Sequence, residues 1–491
     1  MFRRTPRPRR RPGHSASVRP RRAALSTVVA AAVCAGATLV GGADVVDAQT
    51  PPTTVPGDGA APAPTTGFDL DGPGARVTAR AVRLAPEIVD VVTVYDSGAL
   101  DASTRDRAFA AARQAGARAV VRDSASLSLR RVTRGGAVVQ EAPSTMSYPM
   151  GTTVLDRETV AALMGPPVAS AMSATEIVMG SGTAALRGAR AGDVVTLRSF
   201  SGADVEFTIG SVVDDAVTGR TELLLAPAAA ARLGLSRASS VVIWGFGSRS
   251  AIDRALADSS LVSTRIRIRR SWDPADPDDT LGMGATKALL GEFGFRVNSN
   301  GSVTQEYRWQ VENLPGGRVL LNPFIAIRAR CHDVVQPAIQ AALAEAAAAG
   351  VGGVFDVGDA NLAGGCHNPR FNTLSRSRTV GFLSRHSWGM ALDTNTRGSC
   401  QGCAPPDFAT DPGGCTAVRI FRKHGFAWGG NFLTPDGMHF EWVGERRDQL
   451  PYPSRYCPNL VEGALVDPDA ELPVESTQRP TIFADAGLIA E

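Results

Sequence analysis

Apolar and polar positions divide the chain into stretches of different character. Ile88–Tyr95 (IVDVVTVY) is rich in β-branched residues and predicts a strand. Thr104–Gly116 is alanine-rich and predicts a helix, with Ser103 as its cap. Val194–Ser199 and Val205–Ile209 flank Ser201-Gly202, the pattern of a hairpin. Glu222–Leu225, Val241–Trp244 and Thr264–Ile268 add further strands, so residues 68–275 read as a mixed α+β module. From about Leu281 the composition shifts towards Trp, Cys and His. Arg318–Leu321 predicts a strand. Asp333 is the candidate cap of a helix that holds Pro337 in its first turn and runs to Ala349, where Gly350 stops it. Ile339 and Leu343, four apart, mark its buried stripe. Gly389–Asp393 alternates like a strand, with Met390 and Leu392 on one face and Ala391 and Asp393 on the other. His439–Val443 is aromatic and β-type, starts after the turn signal Pro435-Asp436-Gly437, and sets His439 and Glu441 on one face.

Composition bounds the rest. A chain of 491 residues exceeds one ordinary core, which predicts two folded domains with appendages. Residues 1–22 hold nine arginines and no acid, followed by the weakly apolar Ala23–Val40 and then Val46-Asp47-Ala48. That order predicts a secretory signal over residues 1–48, cleaved near Ala48, with an uncleaved membrane anchor as the alternative. Arg21-Arg22 carries a twin-arginine hint. Without this leader, whose only acids are Asp44 and Asp47, the formal charge falls from +3 to −4. No electrostatic footprint for nucleic acid is left. Residues 49–67 are Pro-, Thr- and Ala-rich and read as a linker, and residues 462–491 as an acidic tail. The six cysteines beyond Cys34 all lie at or after Cys331, which in an exported chain predicts three disulfides. Cys400-x-x-Cys403 with Cys415 also has the spacing of a structural zinc knuckle. Met179–Thr183 lacks both outer glycines of a nucleophile elbow, and Gly282–Lys287 lacks the end of a phosphate loop; their glycines read as loop glycines.

The chemistry concentrates in two stretches. Ser384-Arg385-His386-Ser387-Trp388-Gly389-Met390-Ala391-Leu392-Asp393 is followed about fifty residues on by Asp436-Gly437-Met438-His439-Phe440-Glu441-Trp442. They offer two imidazoles and one carboxylate as metal ligands, with spare carboxylates for proton transfer; leaving a fourth position open is how a catalytic zinc site is built. Geometry on a strand nominates Glu441 as well as Asp436 for acid–base work. His332, His367 and His424 have no partner at ligand spacing and are set aside.

S-x-H-x-x-G-x-A-x-D followed by D-x-x-H-F-E resembles the VanY-type zinc peptidases, the D-alanyl-D-alanine carboxypeptidases and L-alanyl-D-glutamate endopeptidases of the cell wall. The resemblance covers roughly the last third of the chain. It implies an α+β catalytic domain over residues 276–461, with helices against a small antiparallel sheet that carries the ligands. It implies Zn²⁺ held by His386, Asp393 and His439, and it favours Asp436 as the catalytic acid, leaving Glu441 to support the ligands from behind. Arg370 stands where family members carry an arginine for substrate carboxylate or oxyanion, with Arg376 and Arg378 as rivals; Ser384 orients the loop or touches substrate. The expected partner is a peptidoglycan stem peptide outside the cytoplasmic membrane. Asp rather than Glu before the final histidine resembles the endopeptidase branch, so cleavage of L-Ala–D-Glu is the first expectation and D-Ala-D-Ala carboxypeptidase the second. The rival is a non-catalytic wall-binding protein that keeps the fold.

Overall fold

A computed structural model describes residues 89–96, 100–199, 201–219, 221–235, 238–261, 265–325, 327–355, 365–372, 381–394 and 399–460, which is α+β. The leader, the linker, the acidic tail, Arg376 and Arg378 lie outside these residues. All the described residues fall within one compact unit, Val82–Glu491.

The first half is organised by one large sheet. Its strand path runs Ile266–Arg270, Val91–Asp96, Ala238–Trp244, Arg118–Arg134, Tyr148–Val154, Leu223–Leu225, Glu176–Gly180, Asp204–Val213 and Val194–Arg198. Val194–Arg198 then pairs back onto Arg118–Arg134, so the later strands close into a ring. Val91–Asp96 is buried on both faces, as an almost unbroken apolar run requires. The predicted hairpin forms between Val194–Arg198 and Asp204–Val213, in antiparallel register. Arg118–Arg134 is unusually long, 17 residues. It turns into Ala137–Glu141 through Gly135 and Gly136, both at positive φ, the glycine-rich connection a tight hairpin uses.

Several local expectations shift. The alanine-rich helix is Ala102–Gln114, and its cap is Asp101, whose carboxylate accepts from Thr104 N at 2.8 Å. The later helix is Gln336–Ala348; Asp333 bonds the adjacent Val334 N at 2.7 Å and the His332 ring at 2.8 Å, and does not cap it. The glycines read as loop residues belong to helix starts. Gly180 precedes the helix Ser181–Arg187, which contains Gly182, and Gly282 precedes Met283–Leu290, which contains Gly284.

The second core gathers around a three-stranded antiparallel sheet ordered Ala391–Asp393, His439–Trp442, Phe426–Trp428. The helices Gln336–Ala348 and Pro412–Lys423 accompany it. Phe421, fully buried, stacks on Phe440 of the central strand with ring centroids 4.3 Å apart and meets Phe426 at 5.2 Å. Burying such a ring stabilises the fold by roughly 1.5–3 kcal/mol. The six cysteines pair as Cys331–Cys366, Cys400–Cys403 and Cys415–Cys457, so the zinc-knuckle alternative falls away.

Buried ionic groups tie the large sheet to this second core. Lys287, one of two lysines in the chain, places Nζ 2.9 Å from Glu222 Oε1 and 2.8 Å from Glu292 Oε1, and also bonds Pro149 O. Arg187 bonds Glu292 from the other side. Arg269 on the edge strand reaches Asp276 at 2.7 Å and Asp279 at 2.8 Å.

Candidate metal centre

The site starts from a turn. Ser384 Oγ accepts from His386 N at 3.3 Å, opening the one-turn helix Arg385–Trp388. Gly389 ends it in the left-handed region at φ 65°, where a Cβ would meet His332 N and Leu314 Cδ2 at 2.9 Å. Only glycine turns the chain here without that collision. The next residues enter the strand Ala391–Asp393, so Gly389 belongs to the turn rather than the strand.

Strand register then brings the second motif alongside. Asp393 pairs directly with His439, Leu392 with Phe440, and Ala391 with Glu441. Directly opposite residues share a face. Asp393, His439, Ala391 and Glu441 therefore line one face, while Leu392 and Phe440 go to the core. On the other flank Ala427 pairs with Glu441, so a small residue stands on each side of that carboxylate.

Three donor atoms converge. Asp393 Oδ1 lies 3.1 Å from His386 Nε2 and 3.0 Å from His439 Nδ1, and the three ligand atoms all fall within 4.8 Å of one another. Donors about 2.0–2.1 Å from a shared tetrahedral ion sit about 3.3 Å apart; the two Asp393 contacts match that spacing, and the group could hold one metal ion. His386 Nδ1 faces two backbone carbonyls, Gly365 O at 3.2 Å and Cys366 O at 3.1 Å. Carbonyls only accept, so Nδ1 carries the proton and Nε2 offers its lone pair to the cluster. Burial works against the Asp393 carboxylate, but His386 and His439 outweigh it and hold its pKa well below the usual range.

Around the donors, Glu441 Oε1 lies 3.2 Å from Arg385 Nε, and its Oε2 is 3.6 Å from His439 Nε2. Asp436 is buried on the loop before the strand; its N donates to Gly429 O at 2.8 Å and its O accepts from His439 N at 3.1 Å. Arg370 packs its backbone against the turn: Ser384 N donates to Arg370 O at 2.9 Å, and Ser387 Oγ contacts both Arg370 N and O at 3.3 Å. Arg370 Nη1 is buried with no hydrogen-bond partner among the described residues.

The excluded histidines are accounted for. His367 bonds Gln305 at 2.7 Å, and burial, with Arg330 and His386 nearby, lowers its pKa to about 4. His332 is buried on Leu290 O at 3.1 Å, and His424 ends its helix beside Glu345 at 2.8 Å. Gly365, Cys366 and Arg385 were not read from the sequence as part of the site. The two carbonyls have no side-chain signature, whereas Arg385, beside His386 in the motif, carried one.

Residues 377–442 match the family model described as D-alanyl-D-alanine carboxypeptidase. The C-terminal region is thus peptidase-like, of the D-alanyl-D-alanine carboxypeptidase kind, and the matched segment spans both motifs. No curated protein matches the chain.

Proposed function

We propose that the C-terminal region is a zinc peptidase hydrolysing peptidoglycan stem peptides. The observation that carries this is the convergence of His386 Nε2, Asp393 Oδ1 and His439 Nδ1 on one face of the small sheet. Zn²⁺ bound there would act as a Lewis acid towards the scissile carbonyl and make water more acidic. Asp436 takes the proton from the attacking water as the new C–O bond forms, and delivers it to the amine nitrogen as the C–N bond breaks. Arg370 supplies a charged donor for a substrate carboxylate or for charge growing on the carbonyl oxygen, a role its unsatisfied Nη1 supports. Ser384 holds the His386 turn, and Glu441, braced by Arg385, supports His439 from behind.

The matched family description supports the terminal D-Ala-D-Ala bond and moves it ahead of the endopeptidase expectation. Asp436 in place of Glu supports the second reading, cleavage between L-Ala and D-Glu. Digestion of a pentapeptide muropeptide with the zinc-loaded protein, read by mass spectrometry, separates them. Free D-alanine marks the carboxypeptidase, and a split stem marks the endopeptidase. An intact substrate, or cleavage undiminished in a chelated sample, overturns the proposal.

A further inference from the structure

The matched segment begins at residue 377, yet the loop carrying Asp436 is held by residues more than a hundred positions upstream. Gly429 O accepts from Asp436 N at 2.8 Å and from Phe432 N at 2.9 Å, so the turn Gly429–Asn431 fixes where the acid hangs. The approach is close: a Cβ on Gly429 would meet Asp436 O at 2.5 Å and His439 Cβ at 3.1 Å.

That turn is gripped from outside the matched segment. Asp278, buried, accepts from Trp428 N at 3.0 Å and from Asn431 Nδ2 at 2.7 Å, and is neutralised by Arg422 Nε at 2.9 Å. Arg267, on the edge strand Ile266–Arg270 of the large sheet, donates Nη2 to Asn431 O. Asn431 also exchanges two bonds with Tyr456, each 2.9 Å, so its amide group is used on every side. The edge strand is itself anchored, antiparallel to Val91–Asp96 and through Arg269 to Asp276 and Asp279.

We infer that Arg267 is a positioning residue for Asp436, and that the large N-terminal sheet serves the peptidase site as a rigid brace for the turn presenting its acid. This rests on the proposed role of Asp436. Proton transfer demands heavy-atom distances of about 2.6–3.2 Å, so slack in the turn costs rate while leaving the three metal donors on the Arg385–Trp388 turn and their two strands.

The test uses the full chain with Arg267→Met, which keeps the stem and removes the donors, and Arg267→Lys, which restores a charged donor. Asp436→Asn is measured in parallel on the pentapeptide muropeptide, with zinc content and with hydrogen exchange of the peptide covering residues 429–436. In Arg267→Met, kcat should fall about tenfold or more with KM within about twofold and zinc unchanged. Exchange across 429–436 should be about tenfold faster. Arg267→Lys should recover most of both. Wild-type kcat and exchange in Arg267→Met, with Asp436→Asn inactive, overturns the brace and leaves the role of Asp436 standing. An active Asp436→Asn protein overturns both. If kcat falls without faster exchange, or Arg267→Lys is no better than Arg267→Met, the brace also fails.

Discussion

Asp393 carries the electrostatics of the centre, because one of its oxygens lies against both histidines. A neutral Asn there would leave two imidazoles without the charge that draws a cation. We expect Asp393→Asn and His439→Ala each to bring zinc content, measured by atomic emission after purification, to a small fraction of wild type. Full occupancy in either would remove that residue from the donor set. The acids separate differently. Asp436→Asn should keep zinc and lose about 10²–10⁴-fold in kcat, the usual contribution of one general acid–base group, while Glu441→Gln loses less. If the Glu441 variant is the dead one, the two roles are exchanged. The closeness of Asp393 and His439 was legible because the motif spacing and the period-two face assignment agree, and the two are direct cross-strand neighbours. The carbonyls of Gly365 and Cys366 were not, since a backbone acceptor looks the same in every residue.

At the scale of elements, Gly389 is the narrowest point. Gly389→Ala combines a left-handed conformation, about 1–2 kcal/mol by itself, with contacts at 2.9 Å to His332 N and Leu314. Urea unfolding should show at least that loss, and a stability unchanged from wild type would mean the turn relaxes without cost. Short apolar runs, such as those read at Glu222–Leu225 and Val241–Trp244, were legible because burial on both faces leaves few other uses for them; the second strand starts three residues earlier, at Ala238. The strand Arg118–Arg134 was missed: five arginines interrupt its alternation, and Arg122 is paid for by a bond to Ser240 Oγ at 3.0 Å and the Tyr95 ring at 5.3 Å. Caps misread by a residue or two, Ser103 for Asp101, reflect several polar neighbours competing for one N–H.

For the whole molecule, the Lys287 cluster matters most. Lys287→Met leaves Glu222 and Glu292 buried without their shared cation, and removing one partner of such a set costs about 3–5 kcal/mol. A chemical-denaturation midpoint equal to wild type would show the cluster to be idle. Its acid dependence has a definite sign. Burial raises the Glu292 pKa, but Lys287 and Arg187 together lower it below its ordinary value. A depressed carboxylate gives stability that is whole above the unfolded glutamate pKa, about 4.3, and drains away as pH falls through the folded value. Thermal midpoints of Glu292→Gln should therefore vary less with pH below that point than those of wild type. Equal slopes would assign the acid sensitivity elsewhere. None of this was visible in the sequence, where Lys287 stood among ordinary glycines and alanines and its partners lie up to 138 residues away.

The bond between Cys331 and Cys366 reaches further than the core it staples. Cys366 O is one of the two acceptors that turn His386 towards Asp393 and His439, and the residue after Cys331 donates its N–H to Gly389 O at 3.0 Å. The bearing of the His386 ring is thus tied, through one backbone carbonyl, to a covalent cross-link thirty-five residues long.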